Sequence, residues 1–162
     1  MPASVRYVNP SKGELEVYGT LVFLASFDLR HKHRTARQME DAFLRPAKLG
    51  LTRIWRDGSG APAAAMTFAY LDSPREALLQ EGRALVSDED WMSGNNLWVI
   101  DFLSPFTNAR KLLLHFAKKG TGGRVFSYLR HDLDGNVRHH STCAPDGAGV
   151  FRLKRQTVQS SK

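Results

Sequence analysis

The chain has 162 residues, a length typical of one domain with a sizeable hydrophobic core. A hydrophobic content of 42%, including 10% aromatic residues, excludes wholesale disorder. A single cysteine excludes an internal disulfide, and a net charge of +7 at pH 7 favours an acidic partner: nucleic acid, an anionic membrane or an acidic protein.

The first residues carry no targeting pattern. Met1–Pro10 lacks the apolar centre of a signal peptide, and no apolar run reaches the ~20 residues needed to cross a bilayer. We therefore expect a soluble, cytoplasmic protein with no membrane span, folded as one domain over residues 1–162. Polar composition predicts flexible segments at about residues 1–12 and 156–162.

Two segments of regular structure surround a basic cluster. Glu14–Ser26 starts amphipathic and ends apolar, and its periodicity fits either a strand or a helix. The basic cluster Arg30–Arg34 follows. It leads into Ala36–Leu44, where apolar residues at helical spacing predict a helix that is limited by Pro46.

A hairpin and a further helix come next. Leu51–Trp55 and Ala63–Tyr70 flank a glycine-rich turn, which is typical of two antiparallel strands. Ser73 is then a candidate N-cap, with Pro74 at the first helical position and Glu76 closing a capping box.

A carboxylate interrupts the next apolar stretch. Trp98–Leu103, bounded by Gly94 and Pro105, is apolar apart from Asp101 and predicts a buried strand. An acid in such a strand has to be paired or hydrogen-bonded, because burying a lone charge is very costly. Asp101 is therefore either a structural ion-pair partner or a catalytic group.

The last third predicts one helix and a second hairpin. Asn108 is a candidate cap for a helix that continues to Lys119 and ends at Gly120. Arg124–His131 and Val137–Thr142 flank an Asp-Gly turn and predict two antiparallel strands. Together these elements predict an α/β (α+β) domain whose mostly antiparallel central sheet is flanked by helices.

Most of the remaining candidates favour a structural interpretation. His31 and His33 could face a metal together, but no further Cys or His is spaced to complete a tetrahedral site, so we predict none. Cys143 is typical of a small core residue, and His139 and His140 are predicted to be solvated.

The residues around Asp101 resemble a family signature. Residues 90–106 read DWMSGNNLWVIDFLSPF, similar to the D-W-x-S-G-x-x-x-W-x-I-D-W-x-A-P-F pattern of the RTX toxin-activating lysine acyltransferases. The matching positions are Asp90, Trp91, Ser93, Gly94, Trp98, Ile100, Asp101, Pro105 and Phe106. Phe102 and Ser104 stand where the family usually has Trp and Ala.

A weaker resemblance lies upstream. Counting forward from Gly19 places His31 on the catalytic histidine of the family's Ser-Pro-x-His-Arg segment. Asp28 and Leu29 replace the Ser-Pro of that segment. His33 is a competing candidate that requires an insertion, so His31 is preferred.

The resemblance implies a fold, a reaction and two catalytic residues. The fold would be similar to that of the Gcn5-related N-acetyltransferases. The reaction would transfer a fatty acyl group from acyl-acyl carrier protein, the donor substrate, to a lysine ε-amine of an RTX protoxin. His31 would be the general base, and Asp101 the acid that orients it and stabilises its charge. No bound cofactor is implied, and family members are described as dimers, so a homodimer is a further expectation.

The basic composition fits an acidic carrier protein. Side chains that could supply the complementary field are Arg30, Lys32, Arg34, Arg37, Lys111, Lys118 and Lys119. One alternative is a basic module that binds nucleic acid or an anionic membrane, but it leaves the signature unexplained, so we expect no nucleic acid. The other is a catalytically inactive family member that binds the carrier protein or the toxin without chemistry.

Overall fold

A computed structural model describes residues 9–132, 134–146 and 148–157. Its six strands form one sheet whose spatial order follows the chain, and every neighbouring pair is antiparallel except β3 and β4. This confirms the predicted α+β class with a mostly antiparallel sheet; the likeness to Gcn5-related N-acetyltransferases stays a prediction. None of the described helices is long and apolar enough to span a membrane.

The strands are β1 (Thr52–Arg56), β2 (Pro62–Leu71), β3 (Asn96–Leu103), β4 (Phe126–His131), β5 (Val137–Pro145) and β6 (Phe151–Thr157). The α-helices are α1 (Lys12–Phe27), α2 (Ala36–Met39), α3 (Arg45–Lys48), α4 (Ser73–Gln80), α5 (Asp88–Trp91) and α6 (Ala109–His115). Two π-helical turns complete the list: π1 (Glu40–Leu44) between α2 and α3, and π2 (Phe116–Gly120) after α6.

The ambiguous first segment is a helix. Ser11 and Glu14 form a capping box at its start, each side chain accepting a hydrogen bond from the backbone N–H of the other residue. Its buried residues Leu21, Leu24 and Ala25 have helical spacing and pack against the sheet. Residues 1–8 and 158–162, which make up most of the predicted flexible ends, lie outside the described residues.

The prediction that Pro46 limits the second helix is wrong. The chain stays helical from Ala36 to Lys48, with π1 directly before the turn that carries the proline. Proline has no N–H to donate and its ring crowds the preceding turn of an α-helix. The wider π turn accommodates this without ending the helix.

The predicted cap of α4 is also wrong, by one residue. Asp72 is the N-cap, and its Oδ1 accepts a hydrogen bond from the Arg75 N–H at 3.0 Å. Glu76 closes no capping box. Its carboxylate instead accepts the indole N–H of Trp98 at 2.6 Å and so ties α4 to β3.

Several predicted elements are confirmed and two were missed. Both hairpins, strand β3 and the Asn108 cap of α6 are present. The short helix α5 and the edge strand β6 are the two elements that the sequence patterns did not predict.

The sheet has two covered faces. On the first face, α6 and π2 pack through Leu113, Phe116 and Ala117 against Val99 and Phe126. The second face is covered by α1 and π1 next to Leu103 and Ala65, and by α5 next to Trp98. A site that includes the end of α1 therefore lies on the second face.

A β-bulge directs Asp101 toward this second face. Thr67 pairs with Asp101 and Phe68 pairs with Val99, so β3 contains one extra residue, Ile100, at this point. Regular alternation would put Asp101 on the first face with Val99. Because of the bulge it points to the side of α1, where His31 contacts it.

The packing on either side of the bulge supports this assignment. Val99 and Phe102 both belong to the core under α6, whereas Leu103 packs against α1. Thr67, which is fully buried, holds the bulge by accepting the Asp101 backbone N–H on its Oγ1 at 3.1 Å.

We expect Gly94→Ala to lower the free energy of unfolding by about 1–3 kcal/mol, as overpacked sites do. A Cβ at Gly94 would lie 2.5 Å from the backbone N of Asp72 and the backbone O of Leu71, which cannot swing aside. Urea denaturation measures the effect. Gly58→Ala is the matched control, because a Cβ there meets nothing within 4 Å. Equal effects of the two substitutions would contradict the predicted clash.

Candidate active site

His31 lies in a tight turn between α1 and α2 and is only 3% exposed. The turn starts at Asp28, the C-cap of α1, whose backbone carbonyl accepts the N–H groups of His31 and Lys32 at 3.0 and 2.9 Å. It closes where the Arg34 N–H donates to the His31 carbonyl at 2.9 Å. The end of α1 thus determines where the histidine ring enters the site.

Both ring nitrogens of His31 contact carboxylates. Nε2 lies 2.8 Å from Oδ1 of Asp101, and Nδ1 lies 2.8 Å from Oδ1 of Asp28. The side chains of Asp101 and Asp28 are 14% and 12% exposed. The structure therefore brings together the two predicted catalytic residues and adds a third group, Asp28.

Two arginines complete the site. Arg34 donates to both carboxylate oxygens of Asp101 at 3.4 Å, and its guanidinium lies 5.7 Å from the ring centre of Phe43. Arg30 donates from Nη2 to the backbone carbonyl of Phe102 at 2.8 Å. That carbonyl lies beyond the end of the β3–β4 pairing, whose last partners are Val99 and Tyr128.

These contacts set the charges of the site. Burial alone would lower the pKa of His31, but its hydrogen bonds with Asp101 and Asp28 outweigh burial and raise the pKa above its ordinary value. Burial would raise the pKa of Asp101, but the hydrogen bond from His31 and the charge of Arg34 hold that pKa well below its ordinary value. The pKa of Asp28 is lowered in the same way, chiefly by His31. The two carboxylates therefore favour the protonated, imidazolium form of His31.

The competing histidine lies elsewhere. His33 is exposed, and His31 has both nitrogens engaged, so the pair does not present a shared metal site. Among the described residues no three His, Cys, Asp or Glu side chains gather around a common point for a metal.

The other histidines and the cysteine are placed away from this contact. Cys143 is fully buried in the core under α6, as predicted, and burial raises its pKa to about 11. His139 and His140 are half-buried, so the prediction that both are solvated is wrong. The ring of His140, on β5, stacks on Trp98 of β3 with 4.9 Å between the centres, although β4 lies between the two strands.

The predicted basic residues do not form one patch. Arg30, Lys32, Arg34 and Arg37 belong to the segment around His31, and Lys111, Lys118 and Lys119 belong to α6 and π2, which cover the opposite face of the sheet. Arg37 is engaged with Glu40 and Asp41 at 3.7 and 3.4 Å.

Sequence reasoning missed Asp28, Arg34 and Thr67 as parts of the site. The signal for Asp28 was present, since an acid three residues before a histidine in a tight turn can reach its ring. Thr67 had no such signal, because its contact with Asp101 depends on the pairing of β2 with β3.

The chain matches the model of a known protein family. The model described as HlyC, the RTX toxin acyltransferase family, matches residues 11–141. The match contains both His31 and Asp101, and it extends beyond Lys119 into β5. No curated protein matches the chain.

We expect the folded state to lose stability as the pH rises through the pKa of His31. A folded-state pKa above the unfolded value of about 6.5 means that protonation stabilises the fold. This contribution is complete below the unfolded pKa and disappears above the folded one. Urea denaturation at stepped pH values should show the decline in the wild type and a smaller one in His31→Asn.

The exposed neighbour supplies the control for this experiment. His33→Asn should keep the wild-type dependence on pH, because the ring of His33 is exposed. A His31→Asn variant whose stability falls with pH as steeply as that of the wild type would show that His31 is not the titrating group.

Proposed function

We propose that this chain, which belongs to the RTX toxin acyltransferase family, transfers a fatty acyl group from acyl-acyl carrier protein to the ε-amine of an internal lysine of an RTX protoxin. Family membership makes it an acyltransferase that acts on RTX toxins. The donor, the lysine acceptor and the catalytic residues His31 and Asp101 are the proposed parts. The observation that carries them is the 2.8 Å contact between Nε2 of His31 and Oδ1 of Asp101.

The acceptor chemistry explains why a histidine is needed. A lysine amine has a pKa of about 10.4, so making it neutral at pH 7 costs roughly 4–5 kcal/mol. Only the neutral amine attacks a thioester carbonyl. A histidine titrates near this pH range and is a suitable general base for the proton. His31 is the histidine whose ring the structure orients with carboxylates.

Asp101 would orient this base and stabilise its charge. It accepts from Nε2, so Nδ1, which contacts Asp28 in this structure, would be the nitrogen that takes a proton from the substrate. Its charge stabilises the imidazolium that forms, and Arg34 and the Thr67–Asp101 hydrogen bond hold the carboxylate in position. Such a role needs a carboxylate whose pKa stays low, as that of Asp101 does.

Direct transfer fits the site better than an acyl-enzyme. After His31 takes one proton from the ammonium, the lysine nitrogen would form a C–N bond with the acyl carbon, and the C–S bond would break as the nitrogen loses a second proton. One of these protons would go to the departing thiolate and the other to solvent. Cys143 lies in the core under α6 with a raised pKa and is a poor nucleophile. Asp28 occupies the position where the family pattern has a serine.

The carrier protein would approach the face of the sheet that contains His31. The exposed side chains of Lys32 and Arg30 lie there, and a positive field speeds association with an acidic protein. Lys111, Lys118 and Lys119 are on the other face and would act only through the overall field. Association through a second copy of the chain, as a homodimer, is part of the same proposal.

We expect the purified protein to transfer acyl groups from acyl-acyl carrier protein to a lysine peptide of an RTX repeat protein. Intact mass of the carrier protein and of the peptide measures the transfer. His31→Ala and Asp101→Ala should each reduce the rate at least about 100-fold, the range of a lost general base.

His33→Ala is the matched control and should keep near wild-type activity, since its side chain is exposed. Binding of the carrier protein without turnover at any acyl length would instead support the inactive family member. Loss of activity in His33→Ala alone would assign the base to the competing histidine.

A further inference from the structure

The two carboxylates that hold His31 are anchored differently. Asp101 is held by Arg34 through both oxygens and by the Thr67 hydroxyl at its backbone N–H. All described side-chain contacts of Asp28 go to a single oxygen, Oδ1, which accepts from His31 and from the Arg30 N–H at 3.0 Å. Its Oδ2 has no hydrogen-bond partner among the described residues. Asp28 is thus the carboxylate with spare capacity for a cation.

The protonation state that His31 needs as a base also indicates a cation site at Asp28. A general base has to be a neutral ring, and with Nε2–H donating to Asp101, Nδ1 presents a lone pair. That lone pair would face Oδ1 of Asp28 at 2.8 Å, so two acceptors would meet with nothing between them. Either a proton on Nδ1 or an external cation removes this conflict.

We propose that Asp28 binds the ε-ammonium of the acceptor lysine beside Nδ1 of His31. This inference rests on the proposed lysine acylation. An ammonium has three N–H donors and can contact a carboxylate oxygen and Nδ1 at the same time, once the Asp28 carboxylate turns so that Oδ1 no longer lies against Nδ1. Oδ2, on a side chain that is 12% exposed, is the oxygen left to receive it.

The charges around His31 allow the lysine ammonium to replace the positive charge of the protonated ring. The groups that face the ring are Asp28 after α1, Asp101 on β3 and Arg34 in the turn, and Arg30 and His131 of β4 act on the same cluster. The lysine brings one positive charge as the ring loses one, so the net charge of the cluster does not change. The two arginines therefore add no new repulsion against the bound form.

The proton transfers of the reaction then need no protein side chain other than His31 and Asp28. The ring first gives its Nδ1 proton to solvent as the ammonium binds. The ammonium next donates a proton to Nδ1, and the neutral amine attacks the acyl carbon of the thioester. A second N–H proton leaves with collapse of the adduct; one proton goes to the departing thiolate and the other to solvent. Asp28 keeps the lysine nitrogen in place throughout.

The test separates acceptor binding from donor binding. Asp28→Asn should raise KM for a blocked Gly-Lys-Gly acceptor at least about tenfold, since it removes a charge-assisted contact. KM for acyl-acyl carrier protein should stay within about twofold. Asp41→Asn is the matched control, because Asp41 is an exposed carboxylate that pairs with Arg37. It should leave both constants unchanged.

A second measurement does not need turnover. The imidazole NMR signals of His31 in the wild type should shift on addition of the lysine peptide and not on addition of its norleucine counterpart. Asp28→Asn should abolish that difference, and Asp28→Ser, which carries the residue of the family pattern, serves as the second variant if Asp28→Asn folds poorly. A lysine-dependent shift without acyl transfer would support Asp28 while contradicting the proposed function.

Two results would overturn the role of Asp28. One is an Asp28→Asn variant that lowers the pKa of His31 but leaves KM for the lysine acceptor unchanged, since Asp28 would then only position the ring. The other is a wild-type protein whose His31 signals respond equally to the lysine and norleucine peptides.

Discussion

The extra residue in β3 is the constraint on which the site depends. Ile100 displaces the alternation of the strand by one position, so Asp101 points toward α1 and meets a histidine seventy residues earlier in the chain. An uninterrupted strand would place the carboxylate under α6, in a core of aliphatic and aromatic side chains. There it would have no cation to pair with, and the turn that carries His31 would lose its main tertiary contact.

Most of the family signature serves the scaffold rather than the chemistry. The Ser93 hydroxyl accepts the Asp72 N–H, and Gly94 lets the chain pass against the end of β2. Asp90 accepts N–H groups at the start of α5, and Trp98 connects β3 to α4. Asp101 is the member of the block that touches His31. The block thus identifies a fold that can present an acid, and the histidine has to come from another segment.

Local patterns in the sequence could predict the hairpins and the strand around Asp101, because their turns and apolar runs lie within a few residues. The sequence alone could not decide between a helix and a strand for residues 12–27, because packing against the sheet determines the helix. Strand β6 could not be predicted, because its mixture of charged and apolar residues, such as Arg152 and Leu153, is also found in solvated tails. Asp28 counted as a departure from the family pattern, and only its 2.8 Å contact reveals a role.

The spatial order of the strands follows their order in the chain, and this has a consequence for folding. Each strand pairs with its sequence neighbour, and only the β3–β4 pair is parallel and needs a crossover connection, supplied by residues 104–125. Helix α1 and strands β1 to β3, which carry the whole His31–Asp101 contact, can therefore associate while the later strands are still unformed. During synthesis the half that contains the His31–Asp101 contact would emerge first, and β4 to β6 would add to an existing edge.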